Sequence, residues 1–127
     1  MRAEVARYQK VCTESIALSA DRHRLIALLF DGALERLASA KGQVQRREYE
    51  AKSKSIGAAM SIIGGLQSSH DHERGGDLAA NLERLYDYMT RRLFRATADN
   101  DASVIDEVIN LLEAIRSGWN GIRPAAR

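Results

Sequence analysis

Cysteine and proline are almost missing from this chain. Cys12 stands alone among 127 residues, so no internal disulfide can form and nothing points to an oxidising compartment. The single proline, Pro124, leaves residues 1–123 without a proline interruption. Charge of one sign is also lacking. Nineteen Lys+Arg against 17 Asp+Glu leave a formal +2, too little to make phosphate backbones or anionic lipid default partners. The longest apolar run, Leu25 to Phe30, is far short of a membrane span. No apolar stretch of the kind a signal peptide needs occurs in Met1-Arg2-Ala3-Glu4-Val5-Ala6-Arg7. These absences lead to the expectation of a soluble, cytoplasmic single domain. Its 45% hydrophobic content excludes a disordered or collagen-like chain, and its length suffices for one core.

Abundant Ala, Leu, Arg and Glu with few β-branched runs favour helix nearly everywhere. Asp21 can cap a helix carrying Ile26, Phe30, Ala33, Leu37, Ala40 and Val44 at steps of three and four. Arg46-Arg47-Glu48 reads as a turn or a helix end. A second periodic set runs Tyr49, Lys52, Ile56, Ala59, Met60, Ile63 and Leu66, and ends in a polar loop from Gln67 to Gly76. A third helix opens at Asp77 with Leu78, Leu82, Leu85, Met89, Leu93 and Ala96. Asp99-Asn100-Asp101 forms the next turn, with Asp101 as cap. The fourth helix carries Val104, Val108, Leu111, Ile115, Trp119 and Ile122. Short connections between four such helices predict an all-α fold, an antiparallel four-helix bundle over residues 21–123. Residues 1–20, with weaker periodicity, read as a short N-terminal arm or helix, and 124–127 as a C-terminal tail.

These helices are wider in apolar residues than one buried face requires. A stripe of about 100° is enough for a bundle helix, yet Leu25 to Phe30 is apolar on every side. The third helix spreads Leu78, Leu82, Leu85, Tyr86, Tyr88, Met89, Leu93 and Phe94 over more than half its circumference. The fourth adds Ile105, Ile109 and Leu112 beside its main stripe. The surplus implies cover by the arm, a homodimer seam, or a groove for a partner segment.

Motifs for chemistry fail one after another. His70-Asp71-His72-Glu73 holds two imidazoles and two carboxylates, but on a Gly-flanked loop rather than the stiffer spacing of a zinc site. Asp99, Asp101 and Ser103 lack the glycine and the final glutamate of a calcium loop; Val104 and Asn110 stand there. No Glu-x-x-His occurs, so a di-iron bundle is excluded, and no phosphate-loop or nucleophile-elbow motif is present. His23 reads as a surface residue. Arg46-Arg47 and Arg91-Arg92 are short basic pairs without alternating aromatics, which argues against nucleic acid. The expectation is a chain that is not an enzyme and that needs no cofactor or metal.

Several stretches resemble the flagellar secretion chaperone family FliS: Tyr8-Gln9-Lys10-Val11, Ala20-Asp21-Arg22-His23-Arg24-Leu25-Ile26, Leu29-Phe30-Asp31-Gly32-Ala33-Leu34 and Gly75-Gly76-Asp77-Leu78-Ala79. The most specific is Asn81-Leu82-Glu83-Arg84-Leu85-Tyr86-Asp87-Tyr88-Met89, followed by Arg91-Arg92-Leu93; the Asn100-Asp101 turn and Trp119 also match. The resemblance runs from about Tyr8 to Ile122. It implies a four-helix bundle that binds the disordered C-terminal segment of newly made flagellin in the cytoplasm, prevents premature polymerisation and aids type III export. It further implies an N-terminal arm able to lie over part of the client surface, and it leaves export-gate components open as further partners. Three positions depart from the family pattern: Arg22 replaces a usual proline, His70 a frequent leucine, and Thr97 a common asparagine.

On this basis the expected partner-binding surface comprises Tyr8, Leu25, Leu28, Leu29, Tyr86 and Leu93, and the expected state is monomer or homodimer. The competing expectation is a homo-oligomeric helical module whose apolar stripe is its own seam, with no flagellin client.

Overall fold

The computed structural model describes the backbone of residues 2–69 and 72–122, and the side chains of residues 21–69 and 76–122. Four helices account for it: α1 (Arg2–Gln45), α2 (Tyr49–Ser69), α3 (His72–Asp99) and α4 (Ala102–Asn120), with no strand among the described residues. Each helix packs on its chain neighbours and α4 closes back on α1, while among the described residues the backbones of the diagonal pairs stay apart and meet only through core side chains. Side-chain bonds fix the antiparallel register. Ser55 donates to Gln43 and Arg22 to the Ser69 carbonyl between α1 and α2; Gln67 donates to Asp87 at 3.0 Å between α2 and α3. Between α1 and α4, Lys41 pairs with Asp106 at 2.8 Å and Arg116 with Asp31 at 2.9 Å.

The core follows the predicted spacings. Ile26, Phe30, Ala33, Leu37 and Ala40 of α1 meet Ile56, Ala59, Ile63 and Leu66 of α2, Tyr86, Met89, Leu93 and Ala96 of α3, and Val104, Ile105, Val108 and Leu112 of α4. On α4 the buried line runs through Ile105 and Leu112, and Leu111 and Ile115 sit at its edge. The expected stripe is thus rotated by about one residue. Most of the apolar width of α4 is consumed by packing.

Lys52 belongs to the core stripe of α2 and is only 3% exposed. Its ammonium donates to the Thr97 carbonyl at 2.6 Å, in the last turn of α3, where unpaired carbonyls and the helix dipole favour a cation. A Tyr49 ring lies 5.8 Å from the same nitrogen.

Helix ends differ from expectation in two places. Asp21 caps nothing: α1 runs unbroken from Arg2, and Asp21 is an exposed residue inside it. The boundary expected between an arm and the bundle therefore falls within a single helix of 44 residues. Thr13 to Ala20 holds neither glycine nor proline, and a solvent-facing Asp is tolerated in a helix interior. Proline at position 22 would remove an amide and clash one turn back; Arg22 does neither. The second difference concerns the loop expected from Gln67 to Gly76: Gln67-Ser68-Ser69 belong to α2, and α3 opens at His72 rather than at Asp77. Ser68 and Ser69 donate back to the Gly64 and Gly65 carbonyls at 3.0 and 2.7 Å, which keeps both in helical geometry. The real break is Gly76, at φ 53° and ψ −127°, a backbone region that glycine alone enters easily. His70 and Asp71, the start of the expected loop's charged part, lie outside the described residues.

The remaining turns match. Arg47, at φ 60°, closes α1: its amide donates to Val44 at 3.1 Å and that of Glu48 to Gln43 at 2.8 Å, the paired bonds of a Schellman ending. Asn100, at φ 52°, ends α3 with a 2.9 Å bond to the Ala96 carbonyl. Asp101 then caps α4, accepting from the Ser103 amide at 3.0 Å and its hydroxyl at 2.6 Å.

Two stability outcomes follow. Leu93→Ala, deep in the core, should cost about 3 kcal/mol, whereas its exposed neighbour Phe94→Ala should cost no more than about 0.5 kcal/mol; urea unfolding reads both. Arg47→Gly should stabilise by about 0.5–1 kcal/mol, because glycine enters the left-handed region without the Cβ clash, read as an upward shift in Tm.

Candidate functional site

The six residues expected to form a partner surface do not stay together. Leu25 and Leu28 are 57% and 55% exposed on the outer side of α1, beside Arg22 and Arg24. Leu29, one position on, is half-buried against the core. Tyr86 and Leu93 are completely buried, and the expectation that they present surface does not hold for this chain. The physical reason is their phase. They fall on the line through Met89 and Ala96 that faces the bundle axis. Burial also pushes the Tyr86 hydroxyl pKa well above its ordinary value, so it stays neutral in the core. Tyr8 lies among residues whose side chains are outside the described set.

Other residues supply the exposed apolar surface, and they flank α3. Between α3 and α4 a pocket of about 230 Å³ is lined by Leu78, Leu82, Ile115, Trp119 and Ile122, with Phe30 of α1 also lining it. Leu78 is 66% exposed at its mouth. Trp119 is held by α1: its indole N–H donates to the His23 carbonyl at 3.1 Å, and the His23 ring nitrogen Nε2 lies 3.2 Å from the Trp119 carbonyl. The two rings stack with centroids 4.7 Å apart. His23 is thus half of a clasp between α1 and α4 rather than a plain surface residue.

On the other flank, α2 and α3 enclose an open groove of about 570 Å³. Met60 of α2 and Thr90, Phe94 and Ala98 of α3 line it, with Arg91, Arg95 and Asp99 at its edge. Phe94 is 72% exposed, more than any other large apolar side chain among the described residues. Its position was readable: one residue beyond Leu93, it falls about 100° off the buried line. The pocket faces α4 and the groove α2, and from Leu82 to Phe94 the α3 axis advances about 18 Å, so the two lie on different flanks of α3 and toward opposite ends.

The α3–α4 side is braced electrostatically. Glu107 accepts from the Arg92 guanidinium and the Tyr88 hydroxyl, each at 2.8 Å. These bonds, that from Arg92 foremost, hold the Glu107 carboxyl pKa below the ordinary Glu value of 4.5. The same bonds raise the pKa values of Arg92 and Tyr88. Among the described residues no group of three or more His, Cys, Asp or Glu could hold a metal ion, and no helix is long and apolar enough to cross a membrane. The arrangement offers apolar recesses with polar rims, suited to binding a chain.

The lowered Glu107 pKa fixes a sign. A carboxyl that is more acidic when folded contributes its stability in full above 4.5 and loses it as pH falls through the lower folded value. Glu107→Gln should therefore flatten the acid side of the stability–pH curve, measured by denaturant unfolding at a series of pH values.

The family described as Flagellar protein FliS matches residues 4–126. The flagellar secretion chaperone FliSB of Pseudomonas aeruginosa is 51% identical over 115 residues, covering 91% of each chain. The flagellar secretion chaperone FliS of Salmonella typhimurium is 43% identical over 120 residues, 94% of this chain and 89% of its own. That of Vibrio cholerae is 36% identical over 124 residues, 98% and 91% respectively. With these matches over nearly the whole bundle, the chain belongs to the FliS family of flagellar secretion chaperones, a non-enzymatic family.

Proposed function

We propose that this chain is a cytoplasmic, stoichiometric holdase for the disordered C-terminal segment of flagellin, keeping it from premature polymerisation and delivering it to type III export. The observation that carries this reading is the apolar recess on each flank of α3, one under Leu78 and one beside Phe94. A disordered client loses chain entropy on binding, so its holder must offer extended apolar surface rather than a few polar contacts. Two recesses on different flanks of one helix suit a segment that wraps, since no straight element reaches both. Leu25 and Leu28 extend the apolar surface onto α1. The export-gate machinery enters this reading as a second partner, engaged by the loaded complex.

Mixing the chain with a flagellin C-terminal peptide should produce one complex in sedimentation and more helicity than the sum of the parts. Leu78→Asp, at an exposed position, should weaken that complex about tenfold or more while leaving the bundle folded. Unchanged circular dichroism and sedimentation would remove the reading. A stable dimer at micromolar concentration, indifferent to the peptide, would favour a homo-oligomeric module.

A further inference from the structure

The α2–α3 groove has an apolar floor and an uneven charge at its edge. Phe94 and Met60 supply apolar surface, and Arg91 and Arg95 stand one helical turn apart on either side of Phe94 in the chain. Arg91 has no ion-pair partner among the described residues. Arg95 makes a long 3.8 Å contact with Asp99, between side chains that are both well exposed, a pairing of little strength. Asp99 is the one carboxylate among the residues lining the groove, against two arginines, and the residue that α2 contributes is the uncharged Met60. Lys52 is committed to the Thr97 carbonyl, and Asp87, one turn before Arg91, accepts from Gln67. Gly57 and Gly64 lie one turn on either side of Met60, with open space where a Cβ would stand. At those positions α2 presents bare backbone, which permits close approach by a second helix.

We propose that this groove selects an acidic amphipathic helix, whose apolar side rests on Met60 and Phe94 and whose flanking carboxylates meet Arg91 and Arg95. The inference deepens the holdase reading and rests on it, naming the chemistry of the client stretch that the groove takes. Two guanidiniums at a partly exposed rim, that of Arg95 held only weakly by Asp99, contribute more to selection and association rate than to holding strength, and their effect weakens with salt.

A double-mutant cycle tests it, with the flagellin C-terminal peptide as probe. One arm neutralises the rim with Arg91→Gln and Arg95→Gln together; the other replaces every Asp and Glu of the peptide by Asn and Gln. Each change alone should weaken binding about tenfold at about 0.05 M salt, and the two combined should cost no more than either alone. The difference should shrink as salt rises. Both arginines are solvent-facing, so thermal unfolding of the variant should match the parent chain. Effects that multiply independently, or a rim variant that binds the unmodified peptide as the parent does, overturn the acidic selection and leave the holdase reading standing. Failure of the unmodified peptide to bind the unmodified chain overturns both.

Discussion

The central constraint is that a ring of four helices packed around one shared core gives each helix one inward line and no more. On α3 that line is taken by Tyr86, Met89, Leu93 and Ala96, all fully buried. Leu78 and Phe94 cannot join it without turning the others out, because a rotation of about 100° separates adjacent residues. Their exposure is therefore a consequence of the packing of the rest, and the recesses on both sides of α3 follow from it. The neighbouring helices make room. Gly57 and Gly64 leave α2 bare beside Met60, and Trp119 is drawn toward α1 by its clasp with His23 instead of filling the space under Leu78.

Much of the architecture was legible in residue spacing. The four core lines, the turn at Arg46-Arg47-Glu48, the Asn100-Asp101 turn and the Asp101 cap all rest on local rules that act within a few residues. Surplus apolar width was legible too, and on α1 it pointed to Leu25 and Leu28, both of which are exposed. Which members of a wide helix face outward was harder to read. Tyr86 and Leu93 were placed at the surface, although their spacing with Met89 already described one buried line. Phase relative to that line, rather than apolar count, would have pointed to Phe94.

Other misreadings come from interactions between distant parts of the chain. Ser68 and Ser69 look like loop residues, yet their hydroxyls bond back one turn and the Ser69 carbonyl receives Arg22 from α1. Asp21 has a capping side chain but no helix start to cap, because the residues before it are also helical. His23 reads from the sequence as a surface residue, and its role emerges only when the end of α4 arrives beside it. Lys52 sat on the apolar spacing of α2 while carrying a charge, and the carbonyl end of α3 explains how both hold at once.

The Asn100-Asp101 connection has a mechanical implication. Two residues, one in the left-handed region and one acting as a cap, leave no slack between the end of α3 and the start of α4. A roll of α3 about its own axis would be passed as torque into α4, where the Glu107 bonds to Arg92 and Tyr88 resist it. The connection is built as a rigid former at this end, and a flexible guest of the kind proposed would take its curvature from the host rather than impose its own.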